Sequence, residues 1–125
     1  MKHQLIISNT NELVRLHADE IVSIEADGNY STLYIAGGEK RVVLFQLGQL
    51  EHMMSDQLAE EAETFVRIGR SLIINRNYIY YININRQQLM LRDPNGQRYE
   101  TPRVSHESLR KLKELIDEEN VKTNN

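Results

Sequence analysis

Apolar residues recur mostly at alternate positions, in short runs broken by turn formers, and this pattern predicts a mostly β domain. Leu5-Ile6-Ile7 and Leu13-Val14-Arg15-Leu16 flank Asn9-Thr10-Asn11, the composition of a hairpin turn. Ile21 to Ala26 and Tyr30 to Ile35 alternate on either side of Asp27-Gly28-Asn29, a second turn signal. Gly37-Gly38 then leads into Arg41-Val42-Val43-Leu44. From Gln46 to Leu58 the period changes: Leu47, Leu50, Met54 and Leu58 line one stripe, which predicts a short helix over about 46–58. Glu60-Glu61-Ala62-Glu63 reads as a solvated loop or frayed turn. Strands resume at Phe65–Ile68, Leu72–Ile74, Tyr78–Ile82 and Gln88–Leu91, and Asp93-Pro94-Asn95-Gly96 turns into Arg98–Thr101. Ser105 is placed to cap a final helix over about 105–119, with Leu109, Leu112, Leu115 and Ile116 as its apolar stripe. The expected architecture is a set of small antiparallel sheets with one internal and one C-terminal helix.

A length of 125 residues fits one domain, expected over 1–120, followed by a flexible tail over 121–125. Without cysteine there are no disulfides and no thiolate metal sites, which fits a reducing cytoplasm. No apolar run approaches the roughly 20 residues of a membrane span, and the N-terminus lacks a signal-peptide core. A cytoplasmic protein with no membrane partner is expected. The formal net charge of -3 argues at first against a nucleic-acid partner. Its distribution changes that picture. Over residues 1–65, four Lys and Arg stand against eleven Asp and Glu, whereas ten stand against three over residues 66–113. A chain divided in this way can still present a positive face.

Nothing in the sequence assembles a catalytic constellation. His3, His17, His52 and His106 are scattered, and none has a partner at metal-ligand spacing. Gly37-Gly38 lacks the Lys-Ser/Thr sequel of a phosphate loop, and the carboxylate pairs Asp19-Glu20 and Glu25/Asp27 sit on short strands or turns. The reading is a non-enzyme without cofactor or metal.

Three segments carry more information. Val22-Ser23-Ile24-Glu25-Ala26-Asp27-Gly28-Asn29-Tyr30-Ser31 is a strand ending in Glu and a turn into Asn-Tyr. Phe65-Val66-Arg67-Ile68-Gly69-Arg70-Ser71-Leu72-Ile73-Ile74-Asn75 follows, and Gln97 to Ser105 runs from a strand through a polar link into the helix. In this order and spacing, over about residues 20–116, the chain resembles the LytTR DNA-binding family of transcription regulators, many of them response regulators. One position departs from the pattern: the family's usual His before Arg-Ser is Gly69 here.

The resemblance implies an elongated stack of small antiparallel sheets whose loops enter successive major grooves of double-stranded DNA. Tandem repeat sites, a homodimer formed on DNA and an upstream signalling partner are implied with it. By position, the family's base-reading residues map onto Ser31, Arg70 and Arg103, with Asn29, Tyr30, Arg67, Ser71 and Arg76 in support or at phosphates. The chemistry agrees with part of this. An Arg donates two hydrogen bonds to guanine O6 and N7, worth about 1–3 kcal/mol of discrimination, and Ser or Asn serves a base edge or a phosphate oxygen. Asn75, at a strand end, reads instead as a turn cap.

Family members usually carry a phosphoacceptor receiver domain ahead of this one. The length leaves no room for it, so a stand-alone regulator or an excised domain is expected, and a strand beginning just after Met1 favours the former. Two other readings stay open. One is the same fold serving as a protein-interaction module with little DNA binding. The other is a binder of single strands through Tyr30, Tyr34, Tyr78, Tyr80 and Tyr81, although strand alternation accounts for many of these tyrosines.

Overall fold

The computed structural model describes residues 3–124. Ten strands and two helices follow one another as β1 (Gln4–Ser8), β2 (Leu13–His17), β3 (Ile21–Asp27), β4 (Tyr30–Ile35), β5 (Lys40–Val43), α1 (Leu47–Leu58), β6 (Phe65–Ile68), β7 (Leu72–Asn75), β8 (Ile79–Asn83), β9 (Gln88–Arg92), β10 (Arg98–Glu100) and α2 (His106–Asn124). All pairings are antiparallel. They form the β1–β2 hairpin, a five-stranded sheet in the order β5-β4-β3-β7-β6, and a three-stranded sheet in the order β10-β9-β8.

The five-stranded sheet is the middle of three layers. On one face Ile24, Leu33 and Ile73 pack against Leu5, Ile7 and Leu16 of the hairpin and against the α1 stripe Leu47, Leu50, Met54 and Leu58. On the other face Val22, Leu72 and Ile74 meet Leu89, Leu91 and Tyr99 of the small sheet and Leu109 and Leu112 of α2. Covered on both sides, β7 reads Leu72-Ile73-Ile74 without a polar interruption, because successive side chains alternate between the two cores. A bulge between Ile21 and Ser23 lets β3 serve both faces as well.

The elements match the periodicity closely. Gln46 stands outside α1 as its N-cap, where its backbone N–H donates to Gln49 Oε1 at 2.8 Å. The Ser105 hydroxyl accepts from the backbone N–H of Ser108 at 3.1 Å and caps α2 as expected. The acidic stretch 59–64 is wound into a 3-10 turn, and so are Arg76–Tyr78, which removes Tyr78 from the strand foreseen there. The backbone of α2 is helical to Asn124, beyond the expected end near 119, so it takes up most of the segment expected to be a tail; Asn125 lies outside the described residues.

Two buried polar side chains lock these layers. Asn75, 1% exposed, donates from Nδ2 to the Ile21 carbonyl at 3.0 Å and accepts from the Asn77 N–H at 3.0 Å. It ties the end of β7 to the start of β3. Asn75→Ala should lower stability by about 2–3 kcal/mol in urea unfolding, because a buried carbonyl and an N–H are both left without a partner; an unchanged midpoint would show that water replaces them. Asp93 is the second lock. It joins the β9–β10 turn to Gly37 in the β4–β5 turn, at 2.8 Å.

Candidate nucleic-acid interface

Strand register decides which loops share an end of the molecule. β3 and β4 are joined by the turn at 28–29, and the Ala26 N–H donates to the Ser71 carbonyl at 2.8 Å. The β3–β4 turn and the β6–β7 turn at 69–71 therefore lie side by side at one tip of the five-stranded sheet. α2 runs away from that tip. Near its start Ser108 and Lys111 share a groove with Ile68 and Gly69, and near its end Glu119 pairs with Arg76, which follows β7 at the far end. The β10–α2 link that holds Arg103 thus enters from the same side as the Arg70 turn.

Arg70 is exposed at the tip of its turn, and its side chain has no hydrogen bond or ion pair among the described residues. The turn beneath it is held from below. Arg67 donates through Nε to the Gly69 carbonyl at 2.9 Å, reaches the Arg70 carbonyl from Nη2 at 3.5 Å, and pairs through Nη1 with Glu51 of α1 at 2.9 Å. Gly69 takes a left-handed φ of +58°, and a Cβ there would meet nothing within 4 Å. The tight turn is what glycine provides at this position, and the missing His side chain leaves open space.

Arg103 is also exposed, and it forms no ion pair among the described residues. Its Nε and Nη2 donate to Gln87 Oε1 at 3.0 and 2.6 Å, and Gln87 Nε2 donates to the Val104 carbonyl at 3.3 Å. Gln87 itself sits at a left-handed φ of +54° in the β8–β9 turn. A neutral oxygen thus orients the guanidinium without neutralising it, and the Nη1 side remains available. Sequence reasoning missed Gln87, since a left-handed conformation at a residue other than glycine leaves no sequence signal. If Arg103 contacts a base, Gln87→Ala should broaden base preference at a single position of a bound duplex, at a cost within the roughly 1–3 kcal/mol of one bidentate contact, with an unchanged salt dependence. Equal losses on every sequence would contradict it.

The remaining expected residues divide. Asn29 and Tyr30 are exposed at the β3–β4 tip, with Asn29 Oδ1 accepting from Gln46 Nε2 at 3.3 Å, and Ser71 is exposed beside Arg70. Ser31 is a correction. It is fully buried, and its hydroxyl donates to the Phe45 carbonyl at 2.7 Å, because it shares the inward side of β4 with Leu33 and Ile35. Arg76, expected in support or at a phosphate, is engaged with Glu119 and stands at the end of the sheet away from the tip loops. Arg67, expected at a phosphate, is occupied within the protein by Glu51 and the turn carbonyls. Among the described residues no cluster of His, Asp or Glu could hold a metal ion, and no helix is long and apolar enough to cross a membrane.

Known proteins share this geometry. The LytTr DNA-binding domain family matches residues 11–117. A solved LytTr DNA-binding domain of a putative methyl-accepting/DNA response regulator from Bacillus cereus aligns with a TM-score of 0.60 at 19% identity, covering 93% of this chain and 98% of that one. No curated protein matches.

Proposed function

The chain belongs to the LytTr DNA-binding domain family, and on that premise we propose that it is a sequence-specific regulator of transcription. In this reading its tip loops enter successive major grooves of double-stranded DNA at tandem repeats. Arg70 and Arg103 read guanines, while Asn29, Tyr30 and Ser71 contribute base-edge or phosphate contacts beside them. The observation that carries the reading is the state of the two arginines. Both are exposed, neither is paired with a carboxylate among the described residues, and each projects from a loop braced by other side chains. Bracing matters because a reader of base edges loses affinity for every rotamer it must give up on binding.

Selection of bound fragments from a random duplex pool tests the proposal directly. Enrichment of a repeated motif containing guanine, with affinity that falls as salt rises, is the expected result. Recovery of no motif, together with binding that ignores salt, would favour a protein-interaction module on the same fold. Preferential capture of single strands would favour the tyrosine-based alternative.

A further inference from the structure

Two exposed faces on opposite outer layers differ in charge: the α1–β6 segment is acidic, and the three-stranded sheet presents two arginines. We propose that a second copy of this chain docks its acidic α1–β6 segment onto the arginine–tyrosine face of the three-stranded sheet when two copies sit on neighbouring repeats. The setting rests on the DNA-binding reading above.

On the basic side, Arg92 and Arg98 stand directly opposite each other across β9 and β10. Their guanidinium carbons lie 4.6 and 5.5 Å from the centroid of the Tyr80 ring, and all three residues are exposed. Like charges in directly opposed positions destabilise a sheet. Neither arginine forms an ion pair among the described residues, and Glu100 on the same strand pairs with neither. Tyr80 and Tyr81 are 46% and 41% exposed, so the patch has the tyrosine and arginine composition found at the centre of protein interfaces. On the acidic side, residues 47–64 contain five Asp and Glu and no Lys or Arg. Glu51, Asp56 and Glu61 are engaged by Arg67, His52 and His3, which leaves Glu60 and Glu63 exposed and outside any ion pair among the described residues.

Placement selects the occupant. α1 belongs to one outer layer and the small sheet to the other, with the five-stranded sheet between them. The acidic face of one copy can therefore meet the basic face of a copy related by translation, and translation keeps all tip loops pointing the same way. Such a contact is head-to-tail and does not close on itself. A patch this small is weak in free solution and gains from the effective concentration that two adjacent DNA sites supply. A duplex is the poorer occupant. The patch adjoins the β9–β10 turn, which Asp93 ties to Gly37, at the end of β4 away from the tip loops.

The test compares duplexes with one and two copies of the selected site, using the full chain. Binding of the second wild-type copy should be about tenfold tighter than the first. Arg92→Glu with Arg98→Glu, or Glu60→Arg with Glu63→Arg, should abolish that gain without changing single-site affinity. All four changes in one chain should restore it. Cooperativity that survives either pair of changes, or a swap that does not restore it, overturns the proposal. So does weaker single-site binding with a shallower salt slope, which marks the patch as a phosphate contact. If selection returns no site, the DNA-binding reading has failed, and sedimentation equilibrium of the protein alone at high concentration and low salt decides the contact. Self-association that each pair abolishes and the swap restores supports it, and a monomer throughout overturns it. Circular dichroism melting shows that each variant is folded; should a charge reversal fail this check, Arg92→Gln with Arg98→Gln takes its place.

Discussion

Replacing Arg70 and Arg103 together by alanine is expected to bring specific DNA affinity close to the non-specific level while leaving the fold intact. A bidentate Arg–guanine contact is worth about 1–3 kcal/mol, roughly fivefold to 150-fold in affinity for each arginine. The two side chains project from different loops and share no partner, so their effects should add. Neither is buried, and among the described residues neither holds an ion pair whose removal would leave a stranded carboxylate, so thermal unfolding should move little. Anisotropy titrations with the selected duplex and a scrambled one, each at two salt concentrations, separate the two origins of a weakened complex. If the arginines read bases, the double variant binds both duplexes with the same affinity. If they only touch phosphates, both duplexes weaken together and the salt slope falls by about one for each phosphate that is no longer neutralised. Unchanged discrimination would remove the basis of the proposed function. Arg76→Ala is the matched control, since its guanidinium is engaged by Glu119 and it should leave discrimination untouched.

How much of this was visible in the sequence depends on the range of the interaction. Period-2 and period-3.6 patterns are local, and they place the ten strands and two helices to within a few residues almost throughout. β7 shows the power of the pattern: a continuous apolar run bounded by turns is what a strand buried on both faces requires. Ser31 shows that a local signal can be overlooked. Leu33 and Ile35 are the inward residues of β4, and alternation puts Ser31 with them, although positional resemblance pointed to it as a base reader. The roles of Arg67, Arg76 and Gln87 lay beyond any such pattern. Their partners Glu51, Glu119 and Arg103 are 16, 43 and 16 residues away, and only the packing of α1, α2 and the small sheet brings them together. Which arginines are free is therefore a tertiary property, and with it the distinction between a reading residue and a bracing one.

Asp93→Asn and Tyr99→Phe should each lower stability at neutral pH and flatten its pH profile, from opposite ends. Asp93 is 4% exposed and accepts from the N–H groups of Gly37, Asn95 and Gln97 at 2.8, 2.8 and 3.0 Å and from the Tyr99 hydroxyl at 2.8 Å. Burial, the largest influence, pushes its carboxyl upward, but the four donors together outweigh it and hold the group below its ordinary value of 3.8. A depressed folded-state pKa means the contribution is present above pH 3.8 and is lost as pH falls from there through the folded value. Tyr99 behaves in the opposite sense. Burial first, and then its hydrogen bond to Asp93, push the phenol up from 10.0 to about 12. Its contribution is therefore complete below pH 10 and declines as pH rises through the folded value near 12, by roughly tenfold in the folding equilibrium for each unit. At neutral pH Asp93→Asn should cost about 3–4 kcal/mol, because an amide cannot accept from four donors and presents donors of its own to them. It should also remove the acid limb of the wild-type profile. Tyr99→Phe should cost less and flatten the alkaline limb. Urea midpoints measured from pH 3 to 11 would contradict this account if the wild-type acid limb survived in Asp93→Asn. The same clamp joins the small sheet to the β4–β5 turn, and Gln87 in the β8–β9 turn of that sheet orients Arg103. Loosening it should also weaken discrimination at the Arg103 position while leaving Arg70 reading unaffected.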